Sequence, residues 1–565
     1  MSHAIEGAAG PTDPAGPDAS HEPSGVVADA RRRTMILVAM CTALVAVIAS
    51  VSGLNVAQQQ LTSSLGATQS QLLWVINGYT VALAALLLAV GAIGDRWGRR
   101  HVLSAGLVLF ASANVAAALA SSPTILILAR VAAGVAAAMI MPVTLSVITS
   151  SFPKEERGRA VGVWAGFAGA GGIVGLVGSA VLVDHFTWPG LFAGPTVLAL
   201  AALAMTLSWV PNSKEHHTAR FDLGGSILSI LAVGGIVLGI HQGPEVGWSD
   251  PTTIAGMTVG ILAAIGFVRW ELRQEVPLLD LKVFRNRTLA AGSLGLMITF
   301  AVMSALFLVI VQFLQAVLGF SAVRGAVSLL PMAAMMMPLS TVSPKLADKY
   351  GVRALLTAGS LFVAGGLTFI AMFGSIAGGY LSVLPGLVLV GVGMGLSMTP
   401  GTTAITGSLP EDKQGVASAL NDTVREIGGA VGIALLGSVL NSGYRSSVAP
   451  ATVALPAEAA NAVKDGIGGA YTVAGHLGTQ GPRILLAAKD AFVNGWVMSL
   501  WVGAALAFVG ATIVFIWAPH HERAMAPGHA LDTELSDVPE LSAVSAMSRM
   551  SEMPGFVRDS VVAGN

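Results

Sequence analysis

Gly91-Ala92-Ile93-Gly94-Asp95-Arg96-Trp97-Gly98-Arg99-Arg100-His101-Val102-Leu103 places one acid and three arginines in a turn between two long apolar runs. A soluble core has no use for so much charge in so short a turn. A tight connection between two membrane-crossing helices must carry its charges at the water boundary. About 250 residues later comes a weaker copy, Pro344-Lys345-Leu346-Ala347-Asp348-Lys349-Tyr350-Gly351-Val352-Arg353. A repeat at that distance implies two related membrane halves.

Composition agrees. Apolar residues make up 54% of the 565 residues and charged residues 11%, with a mean hydropathy of +0.74. Soluble domains carry roughly a quarter charged residues, so most of this chain is expected in lipid. The net charge of −1 says little, because in a membrane protein the placement of charges matters more than their sum. Cys41 is the single cysteine, which excludes an intrachain disulfide framework and a cysteine metal site.

Apolar runs of about twenty residues, the length that crosses a bilayer, fall at 35–55, 71–93, 102–121, 124–147, 159–182, 190–210, 222–241, 252–270, 289–317, 324–344, 354–374, 382–404, 416–440 and 492–517. Fourteen such helices, each satisfying its own backbone hydrogen bonds, predict an all-α integral membrane protein. Residues 1–33 and 519–565 are polar, without apolar periodicity, and read as disordered tails. The apolar run after Arg31-Arg32-Arg33 is long enough to span, which argues against a cleaved signal peptide. An Ala- and Gly-rich segment at about 441–490 reads as an outer surface insertion with short interfacial helices, rather than a cap over the mouth. With the N-terminus inside, the basic residues gather on the cytoplasmic side and the short outer loops hold only Arg324. The prediction is a multi-pass cell-membrane protein with both termini cytoplasmic. The Ala and Gly content fits a GC-rich bacterial source.

The charged turn matches the loop signature of the major facilitator superfamily at Gly91, Asp95, Arg96, Gly98, Arg99, Arg100 and Leu103. Over roughly 34–518 the chain resembles that family's fourteen-helix drug:proton antiporter branch. Further matches are Trp74-Val75-Ile76-Asn77-Gly78-Tyr79, the linker Pro277–Arg287 and Asn421-Asp422-Thr423-Val424-Arg425-Glu426-Ile427-Gly428-Gly429. The resemblance implies a major facilitator fold: two six-helix halves, 34–210 and 289–518, joined through two additional central helices and linkers within 211–288. It implies a secondary transporter, not an enzyme, exporting drugs or natural products in exchange for protons by alternating access.

Several positions depart from that pattern. Ser50 stands five residues before Asn55-Val56-Ala57, where branch members often place an aspartate. Gly175-Leu176 and Ser179-Ala180 replace a Gly-Pro pair and paired glycines, and Ala133 replaces a glutamine after the retained Arg130. Two alternatives therefore stay open: an exporter of a metabolite or lipid without proton coupling, and a membrane sensor that does not transport.

Ionisable residues inside spans are costly and so informative. Asp422, Arg425 and Glu426 sit at i, i+3 and i+4 on one helix face. Burial favours the neutral form of an acid while a neighbouring arginine favours the charged form, a competition a transporter can exploit. Asp422 and Glu426 are the candidate proton carriers, with Arg130 and Arg425 as electrostatic partners; an internally neutralised packing cluster is the plainer alternative. Asp95 is expected to pair with arginines or cap a neighbouring helix N-terminus, forming with Gly91, Arg96, Gly98, Arg99, Arg100 and Asp348 a gating loop. Candidate cavity residues are Asn55, Trp74, Asn77, Tyr79, Trp164, Gln312, Gln315 and Asn421, each also compatible with simple packing. Glycine crowding in the fifth and twelfth spans suits sliding helices, and static packing equally. Met332, Met335, Met336 and Met337 make a soft stretch in the tenth.

No Gly-x-x-x-x-Gly-Lys loop, His-Glu-x-x-His motif or basic aromatic stripe occurs. His216-His217 and His520-His521 read as solvated. The expected partners are a small molecule, protons and membrane lipids, with no nucleic acid, cofactor or metal.

Overall fold

Helix starts follow the chain's own punctuation. Thr68 and Gln71 form a capping box at the head of α2 (Gln69–Trp97). Ser122 followed by Pro123 opens α4 (Pro123–Ser151). Asp222, Asp250 and Asn286 accept from first-turn amides of α7 (Leu223–Val246), α8 (Pro251–Glu271) and α9 (Arg287–Gln312). Each cap satisfies donors that have no partner within their own helix. The remaining spans are α1 (Ala30–Ser52), α3 (Arg99–Ala118), α5 (Lys154–His185), α6 (Ala193–Trp209), α10 (Leu330–Tyr350), α11 (Val352–Phe373), α12 (Leu384–Thr406) and α13 (Gln414–Val448). Two short helices, α14 (Ala457–Asp465) and α15 (Ile467–His476), precede the last span, α16 (Gly481–Trp517).

This computed structural model describes residues 26–52, 61, 64–65, 68–185, 187–211, 221–410 and 413–519. Asn55, both histidine pairs and most of the two expected tails lie outside those residues. Among the described residues, fourteen helices are long and apolar enough to cross a membrane.

The two halves share one packing scheme. In the first, α1 packs on α5 and α6, α2 on α4, and α3 on α4 and α6. In the second, α9 packs on α13 and α16, α10 on α12, and α11 on α12 and α16. The turn repeats as well. Gly98 (φ +100°) ends α2 and begins α3, and Gly351 (φ +86°) does the same between α10 and α11. A side chain would be strained in that left-handed conformation. The halves meet through α5 on α10 and through α13 on α2 and α4.

The additional pair covers a seam. Val233 and Val237 of α7 pack on Ala84 of α2 and Ile427 of α13, while Ile240 reaches Ala430 and Ala434. Helix α8 stands outside α7 and is the more exposed. At its end, Asp222 accepts from the Trp270 indole at 2.9 Å and the Gly225 amide at 2.8 Å. Glu271 accepts from the Leu279 amide at 3.2 Å, and Leu278 and Leu279 are buried. The linker is thus tied to the pair it leaves.

Two expected boundaries are corrected. Residues 26–33 are not tail: the Val27 amide donates to the Ser151 carbonyl, and Arg33 pairs with Glu156 at 2.8 Å. The segment between the last two spans is shorter than the expected 441–490, because α13 continues to Val448 and α16 starts at Gly481. It is also docked. Tyr444 donates to the Val463 carbonyl, and Tyr471 to the carbonyl of Ala316, in the π-helical turn Phe313–Val317 that ends α9.

Helix α13 lies so close to α9 that a Cβ on Gly432 would overlap the Ala301 carbonyl, whereas one on Gly437 would meet only Leu308 at 4.0 Å. Gly432→Ala is expected to destabilise the protein by about 1–3 kcal/mol through overpacking. Thermal unfolding in detergent should show a lower midpoint for Gly432→Ala and none of that loss for Gly437→Ala.

Candidate functional site

The last turns of α2 meet the first turn of α13. Gly91 and Gly415 face each other, and a Cβ on Gly91 would stand 2.6 Å from the Gly415 carbonyl oxygen. That approach delivers the Asp95 carboxylate, 4% exposed, to the free amides of α13. It accepts from the Gly415 N–H at 2.7 and 2.9 Å and from the Val416 N–H at 3.3 Å. It also pairs with Arg99 one turn on, at 3.0 Å. An anion at a helix N-terminus meets unpaired donors and the positive end of the dipole together. The expected cap is present, and the capped helix belongs to the other half.

The rest of the expected gating loop divides. Arg100 donates to the Leu207 carbonyl at 2.6 Å and Arg32 to the Trp209 carbonyl at 2.9 Å, both fastening the end of α6. Arg96 is half-buried in the last turn of α2. Asp348, which matches Asp95 in the repeat, does not join the cap: it is exposed. The two halves carry the same turn, and a buried cap is formed by the first.

Further along α13, Asp422 is fully buried and accepts from Arg425 at 3.1 Å and from Asn421 at 3.2 Å. The Arg425 guanidinium lies 4.3 Å over Phe300 of α9 and 5.4 Å from the Trp164 ring of α5, a cation–π arrangement. Trp164 donates to Thr144 of α4 at 3.1 Å. One ion pair thus touches both halves. Asp422 Oδ2, Asn421 Oδ1 and Arg425 Nε are buried and make no hydrogen bond among the described residues. Glu426 is half-buried on the next position.

Arg130 is elsewhere, and its expected pairing with Asp422 or Glu426 is corrected. It is 1% exposed and donates to Ser50 Oγ at 2.9 Å and to the Val75 carbonyl at 3.2 Å, with its guanidinium 4.3 Å over the Tyr79 ring. Ser50 donates in turn to Asn114 at 3.3 Å. Among the described residues, no hydrogen bond links Arg130 to Asp422 or Glu426.

The cavity candidates scatter accordingly. Trp164 and Asn421 join the Asp422 cluster and Tyr79 the Arg130 cluster, while Asn77 is buried in α2. Trp74 is 38% exposed. Gln312 and Gln315 are half-buried at the far end of α9, with Gln315 beside Gly325. Sequence reasoning missed Phe300, Thr144 and Asn114. Only Asn114, an amide inside an apolar helix, carries a signal that could have been read.

Residues 28–433 match the family model of the Major Facilitator Superfamily. The chain is 32% identical over 447 residues to the multidrug efflux pump LfrA of Mycolicibacterium smegmatis, covering 78% of this chain and 88% of that one. It is 30% identical to the tetracenomycin C resistance and export protein of Streptomyces glaucescens, covering 87% and 94%. Among solved structures, the proton:xylose symporter XylE superposes with a TM-score of 0.56 at 13% identity, covering 87% and 97%. A bacterial homolog of the lysosomal transporter Spinster gives 0.55 at 18%, covering 87% and 100%.

Removing the cap should free the start of α13. Asp95→Ala is expected to speed amide exchange at Gly415 and Val416 about tenfold or more, as losing hydrogen bonds to a charged group implies. Asp348→Ala should leave that exchange unchanged. Hydrogen–deuterium exchange on the segment around residues 413–420 checks both.

Proposed function

The chain belongs to the major facilitator superfamily, and from that membership we propose that it is a proton-coupled exporter of hydrophobic or amphipathic small molecules, working by alternating access. Its family and its structural neighbours are transporters, not enzymes, and its relatives at 30–32% identity are named as efflux and export proteins. The observation that carries the coupling is the Asp422–Arg425 pair, buried where α13 faces α4 and α9 and where Arg425 meets Trp164 of α5.

A buried pair of this kind is poorly placed to serve stability alone, since its desolvation cost rivals its attraction. It is well placed to switch. Protonation of Asp422 cancels the attraction for Arg425, whose guanidinium is then held by Phe300 and Trp164 from opposite halves. The unsatisfied oxygens of Asp422 and Asn421 are available to a proton or to a polar group on the cargo. Glu426, one residue from Arg425, is the second proton carrier. Release of Asp95 from the α13 amides then opens the end of the bundle that carries the 91–103 turn. In the proposed orientation that end, with both chain termini, faces the cytoplasm. The basic residues on it support this, including Arg31, Arg99, Lys154, Arg273, Lys345 and Lys413.

Proteoliposomes holding a pH-sensitive dye test the coupling, with a panel of anionic, neutral and cationic amphipathic drugs, ethidium among them, as cargo. Cargo-triggered proton movement is expected in the native protein, with Asp422→Asn and Glu426→Gln each reducing it about tenfold, or ~1.4 kcal/mol. Cargo transport with no proton movement would refute the coupling and leave an uncoupled exporter.

A further inference from the structure

Arg130 raises a question that proton coupling through α13 does not answer. Arginine keeps its proton at any accessible pH, so a full positive charge lies buried in the first half. Charges are kept inside proteins where an opposite charge faces them, and leaving one unpaired is heavily penalised. The described partners of Arg130 are all neutral: the Ser50 hydroxyl, the Val75 carbonyl and the Tyr79 ring. Asp422 is committed to Arg425, and Asp95 to Arg99 and the α13 amides. Glu426 makes no hydrogen bond to Arg130 among the described residues, and the segment 53–67 that follows Ser50 contains no acid at all.

We propose that Arg130 is the docking point for a negatively charged group on the cargo, so that the molecules this chain exports are amphipathic monoanions such as carboxylates or sulfonates. The inference rests on the export reading and names its substrate class. Ser50 is the partner the anion replaces. Its hydroxyl is shared between Arg130 at 2.9 Å and Asn114 at 3.3 Å, so it keeps one bond when it gives up the other. An oxyanion in its place exchanges a bond to a neutral acceptor for one in which both partners are charged. Tyr79, its hydroxyl tied to the Val47 carbonyl at 3.2 Å, holds the guanidinium plane from below. A fixed planar fork suits a carboxylate or sulfonate better than a mobile ammonium would.

Two probes with the same fluorophore and opposite charge test this: dansylglycine, a carboxylate, and dansylcadaverine, an amine. Binding is measured to the full chain in phosphatidylcholine nanodiscs. The native protein is expected to bind dansylglycine the more tightly. Ser50→Asp puts a permanent counter-charge within reach of Arg130 and should weaken dansylglycine about tenfold or more, without weakening dansylcadaverine. It leaves the guanidinium paired, so its unfolding midpoint should not fall. Arg130→Lys, which keeps the charge but loses the fork, should fall between the two. Preference for the amine, or equal dansylglycine binding by native and Ser50→Asp protein, overturns the inference. So does displacement of dansylglycine when phosphatidylglycerol is added, which would assign the charge to a lipid headgroup. Because binding is read without transport, ethidium export alongside failed dansylglycine binding would sink this inference and leave the export reading standing.

Discussion

The carboxylate of Asp95 on the amides of Gly415 and Val416 is the contact on which the described arrangement turns. Gly415 and Val416 are buried inside the protein, so the first amides of α13 need a protein acceptor. The acceptor comes from the other half of the molecule. Gly91 and Gly415 let the backbones approach, Gly98 reverses the chain, and Arg99 balances the acid. Remove any of these and the two halves lose a specific charged contact at that end. The matching acid of the second half, Asp348, is exposed, so the closure is one-sided.

Helix α13 links that contact to the interior. Its first turn is held by Asp95, its middle carries Asp422, Arg425 and Glu426, and beyond them Gly432 is pressed on α9. The cap and the ion pair therefore share one continuous helix. The same helix is flanked by α7, whose valines and Ile240 follow it along the seam with α2. The additional pair therefore sits on the seam between the halves, and the linker that leaves it is fastened by Glu271.

Much of this is legible in the chain. The 91–103 turn announces membrane helices, because charges confined to a short turn between apolar runs mark a water boundary, and the repeat at 344–353 announces two halves. That Asp95 pairs with an arginine or caps a helix is readable from an acid near that boundary; which helix is not, since Gly415 lies 320 positions away. Arg130 shows the same limit. An arginine inside a span asks for an acid, and the sequence supplies Asp422 and Glu426, yet the fold gives it Ser50 and Tyr79. The apolar runs stop short of the last turns of α13 and the first turns of α16, where Arg445, Arg483 and Lys489 interrupt them, whereas helical hydrogen bonding continues through those charges. The docking of Tyr471 on Ala316 leaves no mark in the pattern of hydrophobicity.

The claim at the centre is that Asp95 holds the two halves together at the end carrying the 91–103 turn. Spin labels at the exposed positions His101 and Lys349, in a Cys41→Ser background, report that separation by pulsed electron paramagnetic resonance. With Asp95 intact, a dominant short-distance population is expected, and in Asp95→Ala a longer one should appear at its expense. Identical distance distributions in the two proteins would contradict the account.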